Sequence, residues 1–192
     1  VGPFIATRLI QRLVTSNPTP AYVQRVAQVF NDDGSSAHVR GNLKAIVTAI
    51  VLDSEARYGQ WQHADTFGKL REPLLKITQM WRAMAATSTG GRIGSLSPYP
   101  PIDEQIGQAP LYSPTVFNFF KPEFTQPREV RTRGLVSPEF QLLSHTMSVS
   151  STHYLFHRIF VDFTGRQSSS ARSTPAHWHM HRHPGTLARR TT

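Results

Sequence analysis

The sequence predicts a mainly α-helical protein, an irregular multi-helix bundle with a long Gly/Pro-rich loop and a disordered C-terminal tail. Three observations lead to this fold class. Apolar residues recur at helical spacing through most of the first 160 residues, caps and prolines mark the ends of these segments, and no sustained strand alternation is present. We therefore expect a helical region over residues 1–165 and a basic, Ser/His-rich disordered tail over residues 166–192.

Five helices are predicted in order along the chain, and each begins at a proline or at a side chain that can cap a helix. Their ranges are residues 3–15, 20–31, 42–53, 73–86 and 138–160. The starting residues, in the same order, are Pro3, Thr19 with Pro20, Asn42, Pro73, and Ser137 with Pro138. Apolar side chains fill one face of each of the first three helices, and we expect the fourth helix to pack against them.

The segments between these helices have a different composition. Residues 85–110 are rich in Gly, Ser and Pro, which break regular structure, so a long loop is predicted there. Ser113 and Pro114 then begin a short aromatic helix over residues 115–120. A further charged group is interpreted as the closing turn of the third helix. Its members are Asp53, Glu55 and Arg57.

Composition and charge exclude several classes of function. The chain has no Cys, so disulfides, thiolate metal sites and cysteine nucleophiles are excluded. No apolar run is long enough to cross a bilayer. The net charge of +9 invites a nucleic-acid role, but residues 166–192 account for five of these charges, and no nucleic-acid motif is present. The chain enters its first helix directly from Val1, without Met, so we expect a fragment of a longer protein.

Six sequence blocks in a fixed order carry a resemblance to known proteins. They read VGPFIATRLIQRLV from residue 1, RGNLKA from 40 with DSEAR from 53, GKLREP from 68, GQAP from 107, SPTVFNFF from 113, and SPEFQ from 137. Over about residues 1–150 the chain resembles the C-terminal half of the bacterial family called domain of unknown function 1800, and the resemblance ends near Gly165. It implies a largely helical, exported protein, often encoded beside another exported protein of unknown function, and it supplies no catalytic residues.

Four residues are candidates for a binding site. Arg71 and Glu72 lie at the entry of the fourth helix, where they could hold a ligand or a neighbouring loop, or serve as a structural ion pair or cap. Phe117 and Asn118 lie in the aromatic segment, which could be a platform for stacking a sugar or nucleobase, or an anchor that fixes the preceding loop to the core.

Other constellations fall short of a site. His153 and His157 have the i,i+4 spacing of a metal pair but lack a nearby Glu, and the alternating histidines of the tail lack a folded frame. Ser144, His145 and Glu139 have no nucleophile elbow before the serine. We therefore assign no metal site and no cofactor.

The preferred interpretation is a binding or assembly module, with another exported protein as its partner and no specific nucleic acid. The alternative is an uncharacterised hydrolase or metal-dependent enzyme whose site is shared with an N-terminal half that this chain lacks. Export to the periplasm or the extracellular space is expected from the family resemblance alone.

Overall fold

The computed structural model describes residues 1–88, 102–116, 118–156 and 178–179. The chain divides into two compact units. Unit 1 comprises Val1–Arg71 and Pro114–Ser144, and unit 2 comprises Glu72–Ser113 and His145–Thr192. The fold is mainly α-helical, as the sequence predicts, and the described strand structure is a single two-residue pairing.

The first three helices of unit 1 agree closely with the sequence prediction. They are α1 (Gly2–Leu13), α2 (Pro20–Asn31) and α3 (Leu43–Leu52). Thr19 Oγ1 accepts a hydrogen bond of 3.2 Å from the Tyr22 N–H, and Asn42 Oδ1 accepts one of 3.3 Å from the Ala45 N–H, so both predicted caps are present. The three helices share one core. Its buried members are Ala6, Ile10, Tyr22, Val26, Ala27, Ile46 and Ile50.

A fourth helix of unit 1, α4 (Ser54–Gln62), was not predicted. Asp53 is both the last residue to cap α3 and the first to cap α4, where it accepts a 2.8 Å hydrogen bond from the Glu55 N–H. Interpreting this charged group as the closing turn of α3 is therefore confirmed for Asp53 and wrong for Glu55 and Arg57, which lie within α4. The buried residues of α4 are Glu55 and Gly59. Because its inward face includes a carboxylate and a glycine, apolar periodicity could not reveal it.

The structure departs from two predictions made for the residues after Ser113. The segment after Ser113 is a turn rather than an aromatic helix: the Asn118 N–H donates to the Thr115 carbonyl over 3.1 Å, and Asn118 has φ 75°. The predicted helix over residues 138–160 is divided into a 3-10 helix (Pro138–Leu142) and α8 (His145–Phe156). A short helix, α7 (Glu129–Thr132), precedes the 3-10 helix.

Unit 2 contains α5 (Pro73–Ala83), α6 (Ile102–Ile106) and α8. Its buried cluster comprises Ile77, Ile106 and Tyr154, so α5 belongs to the core of unit 2. The prediction that α5 packs in the core of the first three helices was therefore wrong. The helix α6 lies within the range predicted as loop.

Two short strands complete the description of unit 2. They are β1 (Thr87–Ser88) and β2 (Trp178–His179), which pair antiparallel with Thr87 opposite His179. Apart from β2, the tail predicted to be disordered lies outside the described residues, and so does the expected boundary at Gly165. Among the helices that the structure describes, none is long and apolar enough to span a bilayer.

Candidate functional site

Glu72 joins the start of α5 to the segment that follows α6. Its side chain is buried, and Gln108 Nε2 donates a hydrogen bond of 2.5 Å to Glu72 Oε2. The Gln108 Oε1 atom in turn accepts 3.2 Å from the Leu74 N–H, a position that a helix cap would normally satisfy. Glu72 therefore acts within unit 2 through Gln108, while Arg71 is an exposed residue of unit 1.

The aromatic segment is only partly described. Phe117 lies outside the described residues, and Asn118 is exposed in the turn set by Thr115. The guanidinium of Arg12 lies 5.7 Å from the centroid of the Phe120 ring, which attaches this segment to α1 as an anchor would. Glu72 is hydrogen-bonded to Gln108, and Asn118 is hydrogen-bonded to Thr115, so these contacts do not bring the candidate residues together in one site. Ligand binding by the four candidate residues stays a prediction.

An open groove of about 600 Å³ runs between α1 and α2 in unit 1, and we call it the α1–α2 groove. No charged side chain lines it. Five carboxamides lie along it: Gln11, Asn17, Gln24, Gln28 and Asn31. Its apolar lining comprises Pro3, Pro18, Pro20, Val23, Ala27 and Val136. A groove of this composition can offer paired hydrogen-bond donors and acceptors to an uncharged ligand.

One end of the groove is closed by Asn17. The Asn17 Nδ2 atom donates 3.0 Å to the Val136 carbonyl, and Asn17 Oδ1 accepts 2.8 Å from the Val136 N–H. A single carboxamide thus satisfies both backbone groups of one residue that lies 119 positions away in sequence. Asn17 was not a candidate residue, because its partner cannot be identified from sequence.

Charged side chains connect the elements that surround the groove. Lys69 Nζ donates to the carbonyls of Gln11 and Arg12 near the end of α1, at 3.0 and 2.9 Å, and lies 2.8 Å from Glu139 Oε1. The Glu139 side chain is 3% exposed, and its Oε2 atom has no hydrogen-bond partner among the described residues. Lys69 therefore ties α1 to the start of the 3-10 helix through a buried charge pair.

A second charged network connects α2 to α4. Glu55 is buried and accepts hydrogen bonds from the Thr19 N–H, at 3.0 Å, and from the Thr19 hydroxyl. Arg25 donates two hydrogen bonds to Asp53, of 2.7 and 2.8 Å. Burial acts to raise the pKa of Asp53, but the hydrogen bonds from Arg25 and from the Glu55 N–H outweigh it and lower the pKa.

The lowered pKa of Asp53 leads to a pH-dependent prediction. The ionised Asp53 carboxylate stabilises the folded protein fully when the pH is above 3.8, the ordinary pKa of an Asp side chain. This stabilisation is lost as the pH falls through the lower pKa that Asp53 has in the folded state. We expect the wild type to be more stable than Asp53→Asn at neutral pH, and this difference to narrow below about pH 4. Urea unfolding of both proteins at several pH values measures it, and a difference that stays constant to about pH 2 would contradict it.

Metal binding has little support in the described part of the chain. Within residues 1–88, 102–116, 118–156 and 178–179, no group of three or more His, Asp or Glu side chains could hold an ion. His145 and His153 are exposed on α8, whereas His157 lies outside the described residues, as do three of the four alternating tail histidines. The i,i+4 histidine pair therefore stays a hypothesis.

Comparison with known proteins identifies the family of the chain. A family model described as Protein of unknown function (DUF1800) matches residues 1–190. The match continues well beyond Gly165, where the sequence resemblance was expected to end. No curated protein and no solved structure matches the chain.

Proposed function

This chain belongs to the family of the Protein of unknown function (DUF1800), and on that premise we propose that it is a binding or assembly module of an exported bacterial protein. The observation that carries the proposal is the outer face of α3, formed by Leu43, Val47 and Val51. These side chains are 63%, 40% and 48% exposed, although the opposite face of the same helix is fully buried in the core of unit 1.

An apolar outer face is unusual for a helix at a protein surface. Lys44 and Thr48 are also exposed on α3, but a surface helix normally presents polar residues throughout its outer face, and an apolar stripe of this length is normally covered. The outer face follows i, i+4, i+8 spacing, so its three side chains form one continuous stripe. Leu52, at the end of the helix, is also 63% exposed. We infer that a second polypeptide covers this stripe.

The partner to which the family resemblance points is the exported protein encoded beside members of this family. An apolar stripe on one helix can bind a complementary apolar surface of a partner. Burying two or three aliphatic side chains contributes several kcal/mol to the free energy of binding. Tyr58 and Trp61 on α4 are 49% and 75% exposed, and aromatic residues of this kind are enriched at protein interfaces.

The assembly proposal predicts a large effect of polar substitutions on the outer face of α3. We expect Val47→Gln/Val51→Gln to raise the Kd for the neighbouring exported protein about tenfold or more, because two apolar contacts are lost. The two proteins are co-expressed, the complex is identified by size-exclusion chromatography with light scattering, and affinity is measured by biolayer interferometry.

The matched control is Val116→Gln/Val149→Gln, which changes two other exposed valines, 94% and 72% exposed, in the turn after Ser113 and on α8. This variant should bind as the wild type does. Equal affinity of both double variants would contradict the proposal, and so would a wild-type chain that neither binds the neighbouring protein nor self-associates. Self-association that is lost only in the α3 variant would identify a second copy as the partner.

The enzymatic alternative, a hydrolase or metal-dependent enzyme, gains no specific observation from the described residues. Glu139 is a buried carboxylate, but its position beside Lys69 is explained by the connection of α1 to the 3-10 helix. One function is therefore proposed.

A further inference from the structure

We propose that the α1–α2 groove binds an extended, uncharged polypeptide segment by its backbone, through a row of carboxamides on α2. This site is formed by residues other than those of the outer face of α3, so the inference goes beyond the assembly function. Four observations on unit 1 support it: the absence of charged side chains from the groove lining, the spacing of the amides on α2, an existing contact between a carboxamide and a backbone, and the apolar part of the lining.

The absence of charge selects the class of ligand. No Asp, Glu, Lys, Arg or His side chain lines the groove, although the Arg8 guanidinium donates a 3.1 Å hydrogen bond to the lining Gln11. A phosphate, carboxylate or cationic ligand would lose its hydration without gaining an opposite charge. An uncharged ligand that carries both donors and acceptors has no such cost, and a peptide backbone carries one of each at nearly every residue.

The amides of α2 match the repeat of an extended chain. Gln24, Gln28 and Asn31 follow i, i+4, i+7 spacing on one face of the helix. At 1.5 Å rise per residue, Gln24 and Gln28 are separated by about 6 Å along the axis. An extended chain presents equivalent peptide groups every two residues, or about 6.6 Å. Successive amides can therefore meet successive peptide groups on one edge of a bound strand.

The fold already contains one such contact. Asn17 pairs with both the N–H and the C=O of Val136 at the end of the groove, so the two-point geometry is compatible with this surface. By contrast, the side chains of Gln24, Gln28 and Asn31 are exposed and have no hydrogen-bond partner within the described residues. They can form the same type of contact with a segment that continues from the position of Val136.

The apolar lining indicates which side chains the bound segment carries. Val23 and Ala27 alternate with the amides along α2, and Pro20 extends this surface toward the end closed by Asn17. In a strand, alternate side chains point to opposite sides. A segment with small or aliphatic residues at every second position would bury these against Val23 and Pro20 and direct its other side chains to solvent.

Fluorescence polarisation with defined peptides tests the proposal. The probe is a labelled seven-residue peptide of alternating Val and Ser, acetylated and amidated so that it carries no terminal charge. We expect saturable binding to the full chain, and an increase in Kd of about tenfold or more for a peptide methylated on alternate backbone nitrogens, which can no longer donate. Exchanging Ser for Thr should change the Kd by less than about threefold, because the backbone is what is recognised.

Substitutions assign the binding to the groove. Gln24→Ala/Gln28→Ala should raise the Kd about tenfold or more, and Gln28→Glu alone should raise it severalfold, because a carboxylate accepts hydrogen bonds but cannot donate them. The matched control is Gln60→Ala/Gln62→Ala, which removes two exposed amides from α4 and should bind the peptide as the wild type does. Circular dichroism confirms that each variant is folded.

Each remaining outcome would overturn the inference. No binding up to about 1 mM peptide, equal binding of the N-methylated peptide, or an unchanged Kd in the α2 double variant is incompatible with backbone recognition in this groove. Saturable binding of an uncharged hexasaccharide with no response to the peptide would identify a glycan site instead. Because Val47→Gln/Val51→Gln leaves the groove intact, failure of the assembly proposal is detected separately.

Discussion

Replacing Lys69 with Met is expected to lower the free energy of unfolding by about 3–5 kcal/mol, because it leaves the Glu139 carboxylate buried without its partner charge. The Glu139 side chain is 3% exposed and Lys69 is 16% exposed, so water screens this pair poorly. The substitution also removes the donor that Lys69 provides to the carbonyls of Gln11 and Arg12 near the end of α1. Urea unfolding followed by far-UV circular dichroism measures the loss.

The double variant Lys69→Met/Glu139→Met distinguishes loss of the pair from loss of packing. Removing both charges abolishes the unpaired carboxylate and leaves two apolar side chains of similar length, so most of the lost stability should return. Glu139→Met alone should be less stable than the double variant, because it leaves the ammonium of Lys69 without its counter-charge. A loss below about 1 kcal/mol in Lys69→Met would show that the pair contributes little to the fold.

Removing the hydroxyl of Thr19 is expected to cost about 2–4 kcal/mol, the second large effect. In Thr19→Ala the cap on the Tyr22 N–H is lost, which costs about 1 kcal/mol. The buried Glu55 carboxylate also loses a hydrogen-bond donor, which costs about 1–3 kcal/mol. Chemical unfolding of the two proteins measures the sum.

Thr19→Ser is the control for this prediction. Serine keeps the hydroxyl that both caps α2 and donates to Glu55, so the change should cost less than about 1 kcal/mol. If Thr19→Ser destabilises the protein as much as Thr19→Ala does, the methyl group rather than the hydroxyl is responsible, and the proposed network is wrong.

Helices formed by local caps and apolar faces were predicted accurately, and elements that lack these signals were not. Helices α1, α2 and α3 were predicted to within two residues at each end, because their apolar faces and caps are local signals. Helix α4 was missed because Glu55 and Gly59 form its buried residues. Asn118 adopts a positive φ, which is incompatible with a helix at that point. Because Asn tolerates this conformation better than most residues, no glycine is needed there, and the sequence does not indicate the turn.

The candidate site was less predictable than the fold. Arg71, Glu72, Phe117 and Asn118 were selected for their residue types beside predicted helix starts. The carboxamides Gln24, Gln28 and Asn31 were not among the candidates. A signal was present, since three uncharged amides at i, i+4, i+7 occupy a face that usually carries charge. Whether such a face lies in a groove or in open solvent depends on its neighbours.

Local sequence alone therefore determined where α1, α2, α3, α5 and the 3-10 helix begin, that the fold is mainly helical, and the family to which the chain belongs. The tertiary structure decided which helices share a core: α5 joins Ile106 and Tyr154 in unit 2, although it was expected to pack against the first three helices. It also decided the contacts of Asn17 with Val136 and of Lys69 with Glu139. Caps and apolar faces depend on residues within one or two turns, whereas these pairings join residues 119 and 70 positions apart, and only the packing of the whole chain brings them together.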